Sequence, residues 1–209
     1  MNTQVDRPRV AFQGERGAFS EEAAVRLMGQ EIVLVPRPTF AALFTSLDEG
    51  VADFILAPIE NSIAGHVDEC QASIHIRSLS ICGEVSLLIA QNLIGCEGAS
   101  LEKIATVESH PVALAQCRRF FAERPMITAI ASDDTAGSVA QVINRGDPTR
   151  AAIASRRAAE IYGGIILREH LEDEPENYTR FVLLQTLEQS RGVSTTCVSE
   201  WGRQSTVPR

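Results

Sequence analysis

Ser80–Ile94, SICGEVSLLIAQNLI, is almost continuously apolar and is too long for an ordinary strand of about 5–6 residues. We read it as a strand that leaves one sheet and enters another, so that the chain builds two lobes. The counterpart lies near the other end. An acidic, Pro-containing connector, Leu171–Asn177, leads into Thr179–Gln185 (TRFVLLQ), which is apolar enough to be buried and is placed back in the first sheet. This reading assigns residues 1–84 and 172–209 to a discontinuous first lobe and 85–171 to a second. The cleft between two such lobes is the expected ligand site.

Strands and helices alternate outward from the crossing stretch. In the first lobe, strands Arg9–Phe12, Ile32–Val35 and Phe54–Ala57 are separated by helical spacing over Ala18–Met28, by a helix that Thr39 can cap, and by a helix over Gly65–Ile76. In the second, strands Ile104–Val107, Ile127–Ile130, Ala151–Ala154 and Ile165–Arg168 alternate with helices Pro111–Phe121, Asp134–Asn144 and Ser155–Tyr162. Alternation of this kind predicts α/β architecture, two lobes of mainly parallel sheet flanked by helices. Residues 187–209 form a polar tail with the lone Trp201 and no periodic pattern, expected to be poorly ordered or a tag remnant.

Composition narrows the function classes. The chain has 209 residues, 44% of them hydrophobic and 5% aromatic, with 19 Lys+Arg against 27 Asp+Glu. An acidic chain without a basic block lacks the electrostatic footprint of nucleic-acid or anionic-membrane binding, so an anionic ligand has to be held by local devices such as helix N-termini or a single Arg. The five cysteines, Cys70, Cys82, Cys96, Cys117 and Cys197, show no compact spacing. They read as reduced thiols in a cytoplasmic protein. The polar N-terminus reads as neither a signal peptide nor an anchor.

Four turns gather small polar residues between a strand and a helix: Gly14-Glu15-Arg16-Gly17-Ala18-Phe19-Ser20, Glu60-Asn61-Ser62-Ile63-Ala64-Gly65, Glu108-Ser109-His110-Pro111 and Asp133-Asp134-Thr135-Ala136-Gly137. In a parallel sheet such turns share one edge, where free N–H groups and helix dipoles converge on an anion; taken singly, each reads better as a capped helix with no ligand. Gly14 and Gly17 lack the third glycine of a dinucleotide fingerprint and the Gly-Lys-Ser/Thr of a phosphate loop. His66, His75, His110 and His170 have no metal-binding spacing. Ser109 beside His110-Pro111 reads as a helix start, with Ser109 or His110 as the cap, in preference to a nucleophile beside its base.

Combined with Asn177-Tyr178-Thr179-Arg180-Phe181, these turns resemble a known family. VAFQGERGAFSEEAA from Val10, PIENSIAGHV from Pro58, GEVSLLI from Gly83, ESHPVALAQC from Glu108, DDTAGSV from Asp133, AAIASRRAAEIYGGIIL from Ala151 and ENYTRFVLL from Glu176 are similar, in order, to the catalytic domain of prephenate dehydratases. The resemblance covers about Arg9 to Gln185. It implies a fold of the type II periplasmic-binding-protein kind, an enzyme that converts prephenate to phenylpyruvate with loss of CO2 and the ring hydroxyl, no metal or organic cofactor, and a homo-oligomer, in the first instance a dimer.

The same resemblance assigns Thr179 as hydrogen-bond donor to the leaving oxygen, with Asn61, Ser109 and Gln116 as further catalytic or polar contacts. Around them Gly17, Ala18, Thr135 and Ala136 would hold carboxylates through their backbone, and Ser62, Gly65, His110, Arg180 and Phe181 would complete the substrate site. Alternation along the strand turns Arg180 away from Thr179, toward ion pairing, and returns Phe181 to the Thr179 face; Glu60 is as well suited to orienting a neighbour as to acting as an acid. Phe12 and Gln91 stand where the family often has Tyr and His. Nothing in 187–209 resembles the phenylalanine-sensing ACT domain of most members, so insensitivity to phenylalanine is expected by that route. Arogenate as substrate and a non-catalytic anion receptor remain alternatives; a related branch that decarboxylates without aromatising lacks the threonine.

Overall fold

The computed structural model describes Arg7–Leu187. In chain order the elements are β1 (Arg9–Gln13), α1 (Phe19–Met28), β2 (Val33–Arg37), α2 (Phe40–Asp48), β3 (Phe54–Asn61), β4 (Gly65–His66), α3 (Asp68–Arg77) and β5 (Leu79–Leu88). They continue with β6 (Asn92–Gly95), β7 (Thr106–Ser109), α4 (Pro111–Ala115), α5 (Arg118–Glu123), β8 (Thr128–Ala131), α6 (Thr135–Arg145), β9 (Arg150–Ala154), α7 (Arg156–Tyr162), β10 (Ile165–Arg168) and β11 (Tyr178–Thr186). Two compact units result among the described residues, one from 7–13, 20–87 and 179–187, the other from 14–19 and 88–178. The chain passes between them at Leu87/Leu88 and Tyr178/Thr179, and the turn after β1 belongs to the second unit. The sequence placed the divisions at 84/85 and 171/172.

The first unit holds a sheet ordered β2-β1-β3-β11-β5, with β4 added to β3. Strands β2, β1 and β3 are parallel, whereas β11 runs antiparallel to β3. The sheet is therefore mixed, because β11 joins it after crossing from the other unit and is not constrained by a β-α-β crossover. Pro36 stays inside β2 because β2 is an edge strand, where a missing N–H removes no ladder bond. Leu43, Phe44 and Leu47 of α2 close over Ala11, Ile55, Val182 and Leu184, all buried. Thr39 caps α2, its hydroxyl accepting Ala42 N–H at 3.1 Å.

The second unit holds β10-β6-β9-β7-β8. Here β9, β7 and β8 are parallel, while β6 is antiparallel to both neighbours. Its core joins Leu93, Val107 and Ile153 of the sheet to Ala113, Cys117 and Phe120. Buried Glu108 accepts from Arg145 of α6 at 2.6 Å and from Arg150 Nε of β9 at 2.8 Å, which ties helix to sheet.

Two expected elements divide. Ser80–Ile94 is two strands, not one, because the intervening Ile89–Gln91 gives its backbone to the connector: Ile89 N–H donates to Asn177 O (2.7 Å), Gln91 N–H to the Glu172 carboxylate (2.7 Å), and Leu171 N–H to Gln91 O (2.8 Å). The helix expected over Pro111–Phe121 breaks after Ala115, where the Asp173 carboxylate accepts the N–H groups of Arg118 and Arg119, both at 2.9 Å, and starts a new helix. Gly65–His66 is a short strand rather than the start of α3. Trp201 and the polar tail lie outside the described residues.

Candidate functional site

Thr179 opens the first unit's share of β11 and lies opposite Asn61, the last residue of β3. Asn61 Nδ2 donates to Thr179 Oγ1 at 2.9 Å. The amide cannot turn over, because its Oδ1 accepts the N–H groups of Ile63 at 3.0 Å and Ala64 at 2.8 Å in the following turn. Exposed Ser62 lies in that turn, and Gly65 closes it at φ +83°, a left-handed conformation that glycine takes without strain. The consequence for Thr179 is specific: one lone pair is engaged, and the hydroxyl hydrogen donates to no protein acceptor among the described residues.

The register between β3 and β11 shifts between Arg180 and Phe181: Arg180 faces Glu60, while Phe181 faces Pro58. Ile59 is the extra residue, a bulge placed where Pro58 has no N–H to donate. Its carbonyl accepts Val67 N–H and Gln71 Nε2, both at 3.1 Å. Arg180 reaches Glu60 at 3.3 Å and Glu84 at 3.5 Å. Phe181 is 2% exposed and packs inward.

The second unit treats its candidates differently. Ser109 is fully buried and donates its hydroxyl to Ile153 O at 2.6 Å, a tie between β7 and β9. Its one hydrogen is committed to the backbone, so a ligand there would meet only the acceptor side of the hydroxyl. His110 caps α4, its Nδ1 accepting Val112 N–H at 3.2 Å, which leaves the ring proton on Nε2 as a donor. Gln116 ends α4, and its Oε1 accepts from Asn177 Nδ2 at 3.1 Å.

The two loop candidates also carry internal duties. Ala18 N–H donates to Glu15 O at 3.0 Å, so it is not available to a carboxylate as expected. Gly17 has φ +87°, and a Cβ there would lie 2.7 Å from Ala158 Cα; Ser155 Oγ donates to its carbonyl at 2.6 Å. The glycine is thus explained by the close approach of α7. Thr135 and Ala136 open α6, but Asp134 already places a carboxylate there, accepting Gly137 N–H at 2.6 Å.

Burial pushes the Cys70 and Cys117 thiols up to about 12, helped at Cys70 by Glu69 and at Cys117 by the carboxylates of Asp173 and Glu172. These are core thiols, not nucleophiles. Among the described residues, no group of three or more His, Cys, Asp or Glu could hold a metal ion. No helix there is long and apolar enough to cross a membrane. The sequence quoted Asn177 only as part of a motif and Gln91 only as a departure from one. A buried amide in a connector leaves no periodic trace, and only the fold shows that both meet Gln116.

Two α/β units with mixed sheets, one carrying a hydroxyl that accepts from a locked amide, define a two-unit α/β protein. The chain belongs to the prephenate dehydratase family, whose model matches residues 10–189. It is 39% identical over 182 residues to a bifunctional chorismate mutase/prephenate dehydratase of Neisseria gonorrhoeae, covering 86% of this chain and 50% of that one. It is 36% identical over 178 residues to arogenate dehydratase/prephenate dehydratase 2, chloroplastic, of Arabidopsis thaliana, covering 85% and 46%.

The chain thus spans about half the length of the curated relatives it matches. Among solved structures, GqqA, described as a novel type of quorum quenching acylase, is 34% identical with a TM-score of 0.76, over 85% of this chain and 64% of that one. Prephenate dehydratase from Arthrobacter aurescens in complex with L-Phe is 28% identical with a TM-score of 0.75, over 85% and 60%. Lipoprotein Tp32 of Treponema pallidum shares the fold alone, at 14% identity and a TM-score of 0.50, over 92% and 88%.

Proposed function

We propose that this chain is a dehydratase that converts prephenate to phenylpyruvate, a step toward phenylalanine. Breaking the bond to the ring carboxylate releases CO2, and its electron pair enters the ring as the C–O bond to the ring hydroxyl breaks; the departing hydroxide takes a proton and leaves as water. Aromatisation drives the reaction, so the protein has to hold a dianion and stabilise the leaving oxygen. The observation that carries this reading is the free hydrogen on Thr179 Oγ1, with Asn61 donating to the same oxygen at 2.9 Å. A hydroxyl that accepts one hydrogen bond becomes a better donor in the next. Fixed before the reaction, it stabilises charge where it develops.

The His110 Nε2–H and Gln116 amide are proposed to donate to carboxylate or keto oxygens, with the N–H groups of Thr135 and Ala136 as further donors. Ser62 and Gly65 shape the Asn61 turn. Arg180 holds Glu60, and Phe181 supports the Thr179 strand from the core. We place the protein in a reducing, cytoplasmic compartment, which suits its free cysteines at 70, 82, 96 and 117, and as a homodimer, which light scattering would test.

Arogenate has the same ring and leaving groups, and relatives named for both substrates keep it as a second substrate. An acylase reading follows from the 34% identical structure. Acyl transfer through a serine needs that hydroxyl beside a base, but Ser109 donates to a backbone carbonyl and the adjacent His110 Nδ1 accepts from Val112 N–H. Dehydration is the better-supported chemistry.

The test is to incubate the chain with prephenate, arogenate and an acylated quorum signal in parallel, beside a no-protein blank and the Thr179→Ala variant. Phenylpyruvate formed from prephenate and lost in the variant is the expected result. Turnover of the acylated signal alone would favour the acylase, and no product from any of the three would favour a receptor.

A further inference from the structure

The second unit joins three carboxamides by hydrogen bonds. Gln116 Oε1 accepts from Asn177 Nδ2 at 3.1 Å and from Gln91 Nε2 at 3.4 Å. Asn177 is fully buried and Gln91 is 2% exposed, whereas Gln116 is only partly buried. A glutamine amide can present either its oxygen or its nitrogen with nearly the same shape, and its hydrogen-bond partners decide which. With two donors on its oxygen, Gln116 has one orientation, and its Nε2 hydrogens meet no protein acceptor among the described residues.

Gln91 is held in turn from the connector, its backbone N–H on Glu172 at 2.7 Å and its carbonyl accepting Leu171 N–H at 2.8 Å. Its own Oε1 is buried with no hydrogen-bond partner. An unsatisfied buried carbonyl destabilises a fold, so packing does not account for this amide.

We propose that Asn177 and Gln91 are positioning residues that lock the Gln116 carboxamide with its NH2 turned toward substrate, as a donor to a carboxylate or keto oxygen. The assignment rests on the proposed reading that Gln116 meets substrate. Without its two donors, the Gln116 amide turns over freely and offers its oxygen to an anionic ligand for part of the time, which weakens binding more than it slows the chemical step.

Steady-state kinetics with prephenate, thermal melting and side-chain amide resonances of 15N-labelled protein test this on Gln116→Ala, Asn177→Ala, the double variant and Gln91→Met. Gln116→Ala should raise KM about tenfold, the loss of a hydrogen bond to a charged group. Asn177→Ala should raise KM comparably, and the double variant should be no worse than Gln116→Ala. Gln91→Met, close in volume, should raise KM severalfold without lowering Tm, because it removes an unpaired buried carbonyl. In both folded single variants at 91 and 177, the Gln116 NH2 resonances should shift.

If Gln116→Ala keeps native KM and kcat, the reading of Gln116 fails and the proposal with it. If Gln116→Ala is impaired while Asn177→Ala and Gln91→Met keep native KM, only the positioning role is overturned. Losses that multiply in the double variant also overturn it. Should Asn177→Ala fail to fold, Gln91→Met with its resonance shift decides.

Discussion

Two hydroxyls, one in each unit, lie at or beside a strand terminus within family motifs, Ser109 as the last residue of β7 and Thr179 as the second of β11, and the sequence assigns both to the site. They differ in what they do with a single hydrogen. Thr179 receives a bond from Asn61 and keeps its hydrogen for a ligand, whereas Ser109 gives its hydrogen to Ile153 O and is sealed from solvent. A shared position at a strand terminus therefore does not give two hydroxyls the same freedom. The direction of the hydrogen bond separates them, because a hydroxyl that accepts from the protein still holds its one hydrogen, whereas one that donates to the protein has given it up.

The largest effect expected from this contrast is at Thr179. Thr179→Ala should cut turnover of prephenate by about 10²–10³-fold, the range for losing one preorganised donor, with the thermal midpoint nearly unchanged. Thr179→Ser should recover part of the loss, since it restores the donor without the χ1 restriction of a β-branched side chain. Native turnover in Thr179→Ala, measured as phenylpyruvate formation, would remove the distinction.

Asn61→Ala comes next. It removes the bond to Thr179 and both bonds that hold the Ile63–Ala64 turn. A fall in kcat of about tenfold or more is expected, from one hydrogen bond to the reacting hydroxyl plus a loosened turn. The fall should be much smaller when measured in a Thr179→Ala background, because the two groups act as one. Independent losses would show that Asn61 works without the threonine.

Ser109→Ala inverts the pattern. It should lower stability by about 1 kcal/mol through the orphaned Ile153 carbonyl, while kcat and KM stay within about twofold of native. A Tm shift without a kinetic shift would sharpen the contrast, and the reverse would restore Ser109 to the site.

The smallest effect lies away from both hydroxyls. The Arg9 guanidinium holds the Asp53 carboxyl below its ordinary range through a bidentate contact, at 2.7 and 3.2 Å, between β1 and the start of β3. A carboxyl with a lowered folded-state pKa stabilises the fold above its unfolded pKa, and that contribution disappears as pH falls through the folded value. The stability gap between native protein and Asp53→Asn should thus be under about 1 kcal/mol at pH 7 for so exposed a pair. It should close on acidification below about pH 4, as read by urea melts across pH. A gap that persists in acid would assign the role to shape instead of charge.

Local patterns were enough for the alternation of strand and helix, the Thr39 cap of α2 and the cap and proline that start α4, because periodicity and caps are short-range properties. The split of Ser80–Ile94 into two strands was not legible, since the hydrogen bonds that end β5 come from residues 171–177. Nor was the antiparallel insertion of β11 and β6, or the bulge at Ile59.

By itself, the sequence determined the family and the two-unit plan and named Thr179, Asn61, Ser109 and Gln116 as candidates, since motif order and strand alternation are written along the chain. Only the tertiary structure decided which polar groups are spent on the fold and which are left for a ligand. Ser109, Ala18 and Asp134 are spent on backbone partners, while Thr179, His110 and Gln116 keep donors free. The reason is that a hydrogen bond is settled by partners that can lie far apart in sequence, 118 residues apart for Asn61 and Thr179, and no local pattern records which of them arrives.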